Sequence, residues 1–407
     1  MTTRGSALLR GNVLWLSVVS LLNDAASEMI YPLLPIFLAS IGGGPVILGV
    51  IEGIAESTAS LVKLASGWLS DRRRRRKPLI LWGYSLAALT RPLLSLATAP
   101  WHILAVRFSD RIGKGLRSAP RDALLAASVS ADRRGRAFGI HRAADHAGSV
   151  IGPLVAAGLL LLMPGQYRFV FAAALVPGLV TVATIFARVT EQRTSGDAGP
   201  AMPAAGSVTP SLQAPAIQDA GAGTRSILPV LAVFALFTLG NATDAFLLLR
   251  AGQLGVSVVA IPLLWALLHV SKMTFNVVGG TLSDRFGPGR SIVAGWLVYA
   301  LVYAGFAFGT SIAHAYILFL VYGLFYGLTE APEKALIAAL SHEHGRGAAF
   351  GAYHFAIGIA ALPASVLFGV VWSGAGAHWA FLMGAGIALV SAFLLPFALR
   401  SHTRVPA

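Results

Sequence analysis

The stretch Gly67-Trp68-Leu69-Ser70-Asp71-Arg72 returns 213 residues later as Gly280-Thr281-Leu282-Ser283-Asp284-Arg285. Working outward, the segment from Ala119-Pro120 to Ala127 returns as Ala331-Pro332 to Ala339, at an offset of 212. Arg134-Gly135 with Phe138-Gly139 returns as Arg346-Gly347 with Phe350-Gly351, again 212 residues on. Three matches in one order and one register indicate that a half-length unit was duplicated in the same orientation. Parallel halves related by an axis along the membrane normal are one known plan of transport proteins.

The composition places this duplicated unit in a bilayer. Of 407 residues, 56% are hydrophobic and 12% charged, against a usual charged share of about 25% in soluble domains. A soluble chain of this length could not cover its surface with so few polar groups. The charges are also lopsided, 31 Lys and Arg against 17 Asp and Glu, for a formal +14. A nucleic-acid surface needs more polar area than this chain has. The bias fits cytoplasmic loops of a polytopic membrane protein, which collect Lys and Arg. The absence of cysteine removes disulfides, thiolate metal sites and Cys nucleophiles.

A spanning helix needs about 20 mostly apolar residues. Twelve such runs are predicted, at 12–38, 46–68, 78–97, 101–124, 137–162, 168–187, 227–250, 256–279, 291–310, 314–338, 347–372 and 378–399. Connections after spans 1, 3, 5, 9 and 11 are short and nearly free of Lys and Arg. Those after spans 2, 4, 6, 8 and 10 carry Arg72 to Arg76 with Lys77, then Arg133, Arg134 and Arg136, then Arg188, Arg193 and Arg225, then Arg285 and Arg290, then Arg346. Positive loops stay inside, so both termini are expected in the cytoplasm of a plasma-membrane protein, a bacterial inner membrane in particular. Arg4 and Arg10 precede the first run in the manner of a signal peptide. No small-residue cleavage site closes that run, and it contains Asn23, Asp24 and Glu28, which makes it an uncleaved span. Residues 189–226, rich in Ala, Gly, Pro, Ser and Thr, are expected to be a flexible cytoplasmic linker between an N-terminal half (1–188) and a C-terminal half (227–407).

With these motifs in place, the chain resembles the major facilitator superfamily along essentially its whole length. The expected fold class is all-α integral membrane, twelve helices as two parallel six-helix repeats. That family's signature between spans 2 and 3, G-x-x-x-D-[RK]-x-G-[RK]-[RK], is matched by Gly67, Asp71, Arg72, Arg75 and Arg76, with Arg74 in place of the second glycine; the second copy has Gly280, Asp284 and Arg285 and keeps that glycine as Gly287. The resemblance implies a cytoplasmic gate at these residues. A loop carboxylate can accept from a helix N-terminus or an Arg, and rocking of the halves breaks that contact. A run such as Arg72 to Lys77 can equally serve as a topology anchor. In span 5, Gly148-x-x-x-Gly152-Pro153-x-x-Ala156-Ala157 is similar to the family's antiporter motif, with alanines replacing its final glycines. Ordinary small-residue packing is the alternative account.

Charges inside the spans mark the path. Spans 6, 9 and 12 contain no Asp, Glu, Lys or Arg, and span 3 contains only Arg91. An ionised group at mid-bilayer costs roughly 2.5–3.5 kcal/mol on insertion scales, so it faces protein or water. Every third helix is therefore expected to be peripheral. Asp24 and Glu28, four apart, share a face of span 1. Asn241-Ala242-Thr243-Asp244 in span 7 places a hydroxyl and a carboxylate where Ser27 and Glu28 stand in span 1. Asp24, Glu28, Glu56, Asp244 and His269 are the candidates for proton coupling or substrate contact; fixed salt bridges or core hydrogen bonds are the competing roles. In span 4, Arg107, Asp110, Arg111, Lys114, Arg117 and Arg121 fall within a sector of about 120° at 100° per residue. Arg107 resembles the arginine of the family's R-x-x-Q-G motif, with Asp110 and Arg111 in place of Gln and Gly. Arg107, Asp110, Arg111, Lys114 and Asp145 form a charge network that either neutralises carboxylates or binds an anionic substrate. Arg117 and Arg121 are expected to pair with Asp71 or Asp122.

These features favour a secondary transporter moving a small organic solute by alternating access, with proton-coupled efflux as the leading reading and uptake or exchange of an anion as the second. No nucleotide loop, metal-binding helix pair or Ser/His/Asp constellation supports an enzyme, and no appended domain supports a sensor. The expected partners are a solute, protons and lipid, with no nucleic acid and no cofactor, and the expected state is a monomer.

Overall fold

Proline and short polar side chains decide where long apolar runs bend, because proline lacks a backbone N–H and Asn, Asp, Ser and Thr offer the backbone rival hydrogen bonds. The computed structural model describes residues 11–73, 75–130, 134–191, 220–341 and 346–403; side chains at 68, 71–73, 134–135, 220–226, 277, 346–348 and 401–403 are outside that description. Every regular element among the described residues is helical. Most of the expected linker lies outside them.

In the first half, α1 (Gly11–Ile30) passes through a 3-10 turn at Tyr31–Leu33 into α2 (Leu34–Ser40), then α3 (Pro45–Arg73) and α4 (Lys77–Thr90) follow. The end of α4 tightens into a 3-10 segment, Arg91–Leu96, where Pro92 has no N–H to give. Then come α5 (Pro100–Ala127), α6 (Arg134–Leu162), α7 (Tyr167–Ala173) and α8 (Leu175–Arg188). The second half has α9 (Ala220–Gly240), α10 (Ala245–Gln253), α11 (Ala260–Phe286), α12 (Pro288–Phe308), α13 (Ile312–Leu340), α14 (Arg346–Ala375) and α15 (Ala377–Thr403). Among the described residues, eleven stretches are long and apolar enough to cross a membrane. The fourth expected span, α5, has the length, 28 residues, but carries the basic stripe.

Spans 1 and 7, expected as single runs, are each interrupted. In span 1 the cause is Pro32 and Pro35. In span 7 it is Asn241 to Asp244, where Asn241 N–H bonds the Thr238 carbonyl and the helix restarts at Ala245. Large apolar side chains face outward on the helices expected to be peripheral: Trp82 on α4, Phe186 on α8, Leu301 on α12 and Phe393 on α15.

The chain divides into two compact units, residues 1–31 with 58–211 and residues 32–57 with 212–407. Within the first, close helix approaches rest on glycine. The α-carbons of Gly83 and Gly113 meet so closely that a β-carbon on either would lie 2.6 Å from the other's carbonyl oxygen. A β-carbon at Gly148 would strike the Leu21 carbonyl, and one at Gly152 the Ala25 carbonyl, so α6 lies directly on α1. In the second unit, Gly49 and Gly53 of α3 press on α14 at Ser365 and Leu362, and Gly240 of α9 meets Gly384 of α15.

Gly152→Val should therefore lower the melting temperature of the detergent-solubilised protein, with a cost of about 1–3 kcal/mol for overpacking. Gly158→Ala on the same helix, where a β-carbon meets nothing within 4 Å, should leave it unchanged or slightly raised. Equal melting of the two variants would contradict the packing described.

Candidate functional site

Buried charge in the first unit is organised around α5. Arg91, the lone charge of its span, stands where α4 tightens, and its Nε donates to Asp110 Oδ1 at 2.8 Å. Both side chains are buried, at 7% and 4% exposure. A second Arg91 nitrogen donates to the Asn23 carbonyl and to Asn23 Oδ1, at 3.1 and 3.0 Å. The Asn23 amide nitrogen then donates to Asp24 Oδ1 at 2.9 Å. A polar chain thus runs Asp110–Arg91–Asn23–Asp24. Arg107 approaches the other Asp110 oxygen at 3.9 Å and covers the Tyr31 ring at 5.3 Å.

A second cluster lies around Arg121, which pairs with Asp122 at 3.0 Å as its position suggested. Arg121 also donates to Ser20 Oγ at 3.1 Å and to the Tyr84 hydroxyl at 3.4 Å. Ser20 in turn donates to Asp145, which His141 and Arg142 approach at 3.7 and 3.6 Å. Arg117 donates to the Gly83 carbonyl at 3.3 Å and lies over the Tyr84 ring at 4.6 Å; a pairing with Asp71 falls outside the described residues. The charges acting on Asp24 include the carboxylates of Asp145 and Glu28 and the guanidinium groups of Arg121 and Arg117. Asp24 and Glu28 are half-buried, whereas Lys114 is exposed and Arg111 half-buried.

The second unit solves the same problem with phenols. Asp244, at the break in span 7, accepts from the Tyr322 hydroxyl at 2.8 Å and the Tyr326 hydroxyl at 2.7 Å. Lys272 of α11 lies 3.5 Å from Asp244 Oδ2. Behind them, Tyr299 stacks on Tyr303 at 4.0 Å and donates to the Gly240 carbonyl at 2.9 Å. At the 212-residue offset of the repeat, Tyr303, Tyr322 and Tyr326 occupy the positions of Arg91, Asp110 and Lys114. His269 sets its ring edge-on to Trp265, centroids 5.2 Å apart. Glu56 is exposed on α3 while Glu52, one turn earlier, is buried.

The expected gate residues are only partly visible. Gly67 is buried on α3, but the side chains of Asp71 and Arg72 are outside the described residues; Asp284 and Arg285 are exposed at the end of α11, after half-buried Gly280. Gly148 and Gly152 stand at the contact of α6 with α1, and Pro153 is buried next to them on α6. Among the described residues no group of three or more His, Asp or Glu could hold a metal ion.

Sequence reasoning did not place Arg91, Lys272, Tyr322 or Tyr326 in a site. Arg91 had a signal, as the one charge in an otherwise apolar span. Lys272 had another, a lysine in the same run as His269. The tyrosines become visible only when the repeat is laid over their charged counterparts.

The model of the family described as Major Facilitator Superfamily matches residues 16–332 and 230–407. The chain is 32% identical over 401 residues to an uncharacterised MFS-type transporter of Methanocaldococcus jannaschii, covering 96% of this chain and 95% of the relative. It is 30% identical over 159 residues to the multidrug resistance protein MdtH of Photorhabdus laumondii, 39% of this chain and 38% of that one. In structure it is similar to the nucleoside transporter NupG, with a TM-score of 0.78 at 12% identity, covering 95% of this chain and 100% of the other.

Removing one partner of a buried ion pair leaves the other uncompensated, at about 3–5 kcal/mol, while replacing both with apolar groups is often close to neutral. Arg91→Leu should thus destabilise the solubilised protein strongly, and Arg91→Leu with Asp110→Leu should recover much of the loss in thermal unfolding. If the double variant is as damaged as the two single variants summed, the pair is not a unit.

Proposed function

Because the chain belongs to the major facilitator superfamily, and is thus a multi-pass membrane transporter and not an enzyme, we propose that it is a proton-coupled exporter of a small organic solute. The observation that carries this reading is Asp24. Its direct partner is the amide of Asn23, and it stands among Asp145, Glu28 and Arg121. A proton loaded there reduces an acidic cluster toward charge balance and leaves an acceptor oxygen for Asn23. Asn23 also holds Arg91, so the change is felt at Asp110 through hydrogen bonds already made.

Export is supported by the segment Gly148 to Pro153, similar to the family's antiporter motif, which packs on α1 at Leu21 and Ala25, either side of Asp24. The name of MdtH, a multidrug resistance protein, supports the same direction. Arg91 and Arg107 serve Asp110, and Arg121 serves Asp122, which favours neutralisation of carboxylates over capture of an anion. Gating falls to Asp71 and Arg72 with Asp284 and Arg285, both termini are cytoplasmic, and the working unit is a monomer in lipid, with no nucleic acid and no cofactor involved.

The test is purified protein in liposomes, challenged with organic cations, anions and zwitterions under pH gradients of both directions. Solute movement with opposite proton movement is expected for one class. Asp24→Asn should lose gradient-driven transport yet still exchange solute for solute. Full gradient-driven transport in Asp24→Asn would remove Asp24 from coupling, and solute moving with the proton would overturn export by antiport.

A further inference from the structure

Asp244 precedes the first turn of α10, a position where a carboxylate ordinarily accepts from free backbone N–H groups. Its side chain makes no such bond. Both oxygens instead turn to the phenols of Tyr322 and Tyr326, at 2.8 and 2.7 Å. With these two bonds each carboxylate oxygen has one short donor before Lys272 is considered. The Lys272 ammonium donates to Oδ2 at 3.5 Å, longer than the roughly 2.7–2.9 Å of a strong charge-assisted bond. What holds it closely is aromatic: the Tyr326 ring centroid is 3.5 Å from Nζ, and that of Trp265 is 5.5 Å away.

A carboxylate beside two ring faces is the arrangement by which proteins hold alkylammonium ions. We infer that Asp244, Tyr322, Tyr326 and Trp265 form a binding site for the ammonium group of an organic amine, and that the Lys272 side chain is its exchangeable resident. The inference rests on the transport reading above and names its substrate class.

Three features make the resident exchangeable. Its ammonium is one compact charge on a flexible four-carbon stem, so it can leave without moving α11. Its departure leaves Asp244 with both phenol bonds, and an arriving ammonium restores the charge. The Asp244 and Lys272 side chains are each 13% exposed, so the pair is not sealed. The contrast between the halves points the same way. Tyr322 and Tyr326 stand where the first copy has Asp110 and Lys114. Phenols in place of charges leave one carboxylate walled by rings, with Lys272 as the cation beside it. His269 makes a T-shaped contact with the Trp265 indole, centroids 5.2 Å apart.

The experiment is calorimetric titration of the purified full chain in detergent with 2-phenylethylammonium, against phenylacetate and 2-phenylethanol. The wild-type protein should bind the amine and not the acid or the alcohol. Lys272→Met should bind it about tenfold more tightly, the gain expected if the resident fills the site about nine-tenths of the time. Lys272→Gln provides the same comparison if the Met variant is poorly folded. Asp244→Asn and Trp265→Leu should each weaken binding at least severalfold. Amine affinity unchanged or reduced in the Lys272 variants would overturn the proposal. So would phenylacetate binding that is lost with Lys272, which would make the lysine an anion receptor. No gradient is used, so a failure of proton coupling leaves this result standing, and coupled transport of a solute without an amine would overturn this site alone.

Discussion

A charge inside an apolar bundle must find a partner, and in the first unit the buried charges around α5 show how that demand is met. Arg91 is the clearest case. It stands on a helix whose outer face carries Trp82 to lipid, yet its guanidinium reaches Asp110 and Asn23 in the interior. Leaving either Arg91 or Asp110 without the other would cost several kcal/mol, more than a typical surface interaction could return. The tight approach of Gly83 to Gly113 brings α4 close enough to α5 for that pair to form. Backbone proximity and charge pairing are thus two sides of one constraint.

The helices, the duplication and the peripheral positions were legible in the sequence because each is written locally. Hydropathy needs only a window of about 20 residues, and a repeat needs only comparison of the chain with itself. The bend in span 1 had a local sign in Pro32 and Pro35, though the run was expected to be continuous. The break in span 7 had a weaker sign, since Asn241, Thr243 and Asp244 sit in an apolar run that could have stayed helical. What could not be read was which charges meet. Arg91 and Asp110 are 19 residues apart, and Asp244 lies 78 residues from Tyr322. Such pairings depend on how helices face one another, and periodicity fixes a face without naming its neighbour.

The two halves illustrate how one backbone plan supports different chemistry. Position for position, Arg91, Asp110 and Lys114 become Tyr303, Tyr322 and Tyr326. The first set is ionic and costs desolvation that only good geometry repays. The second is aromatic, with each phenol contributing a donor at one end and an apolar body along its length. Tyr299 and Tyr303 extend that body into a stack lying against Phe368 and Phe381. Duplication preserved the scaffold and left the polar inventory of each copy to diverge.

The contact of Gly83 with Gly113 has a mechanical consequence. Where side chains separate two helices, rotamer changes let one slide over the other at modest cost. Here carbonyl faces backbone, and the Arg117 side chain beside it is tied to the Gly83 carbonyl, so there is little to rearrange. α4 and α5 are in effect welded at that point and must travel together. Any shear within the first unit is therefore displaced to other seams, and the arginines of α5 move as a single rigid comb.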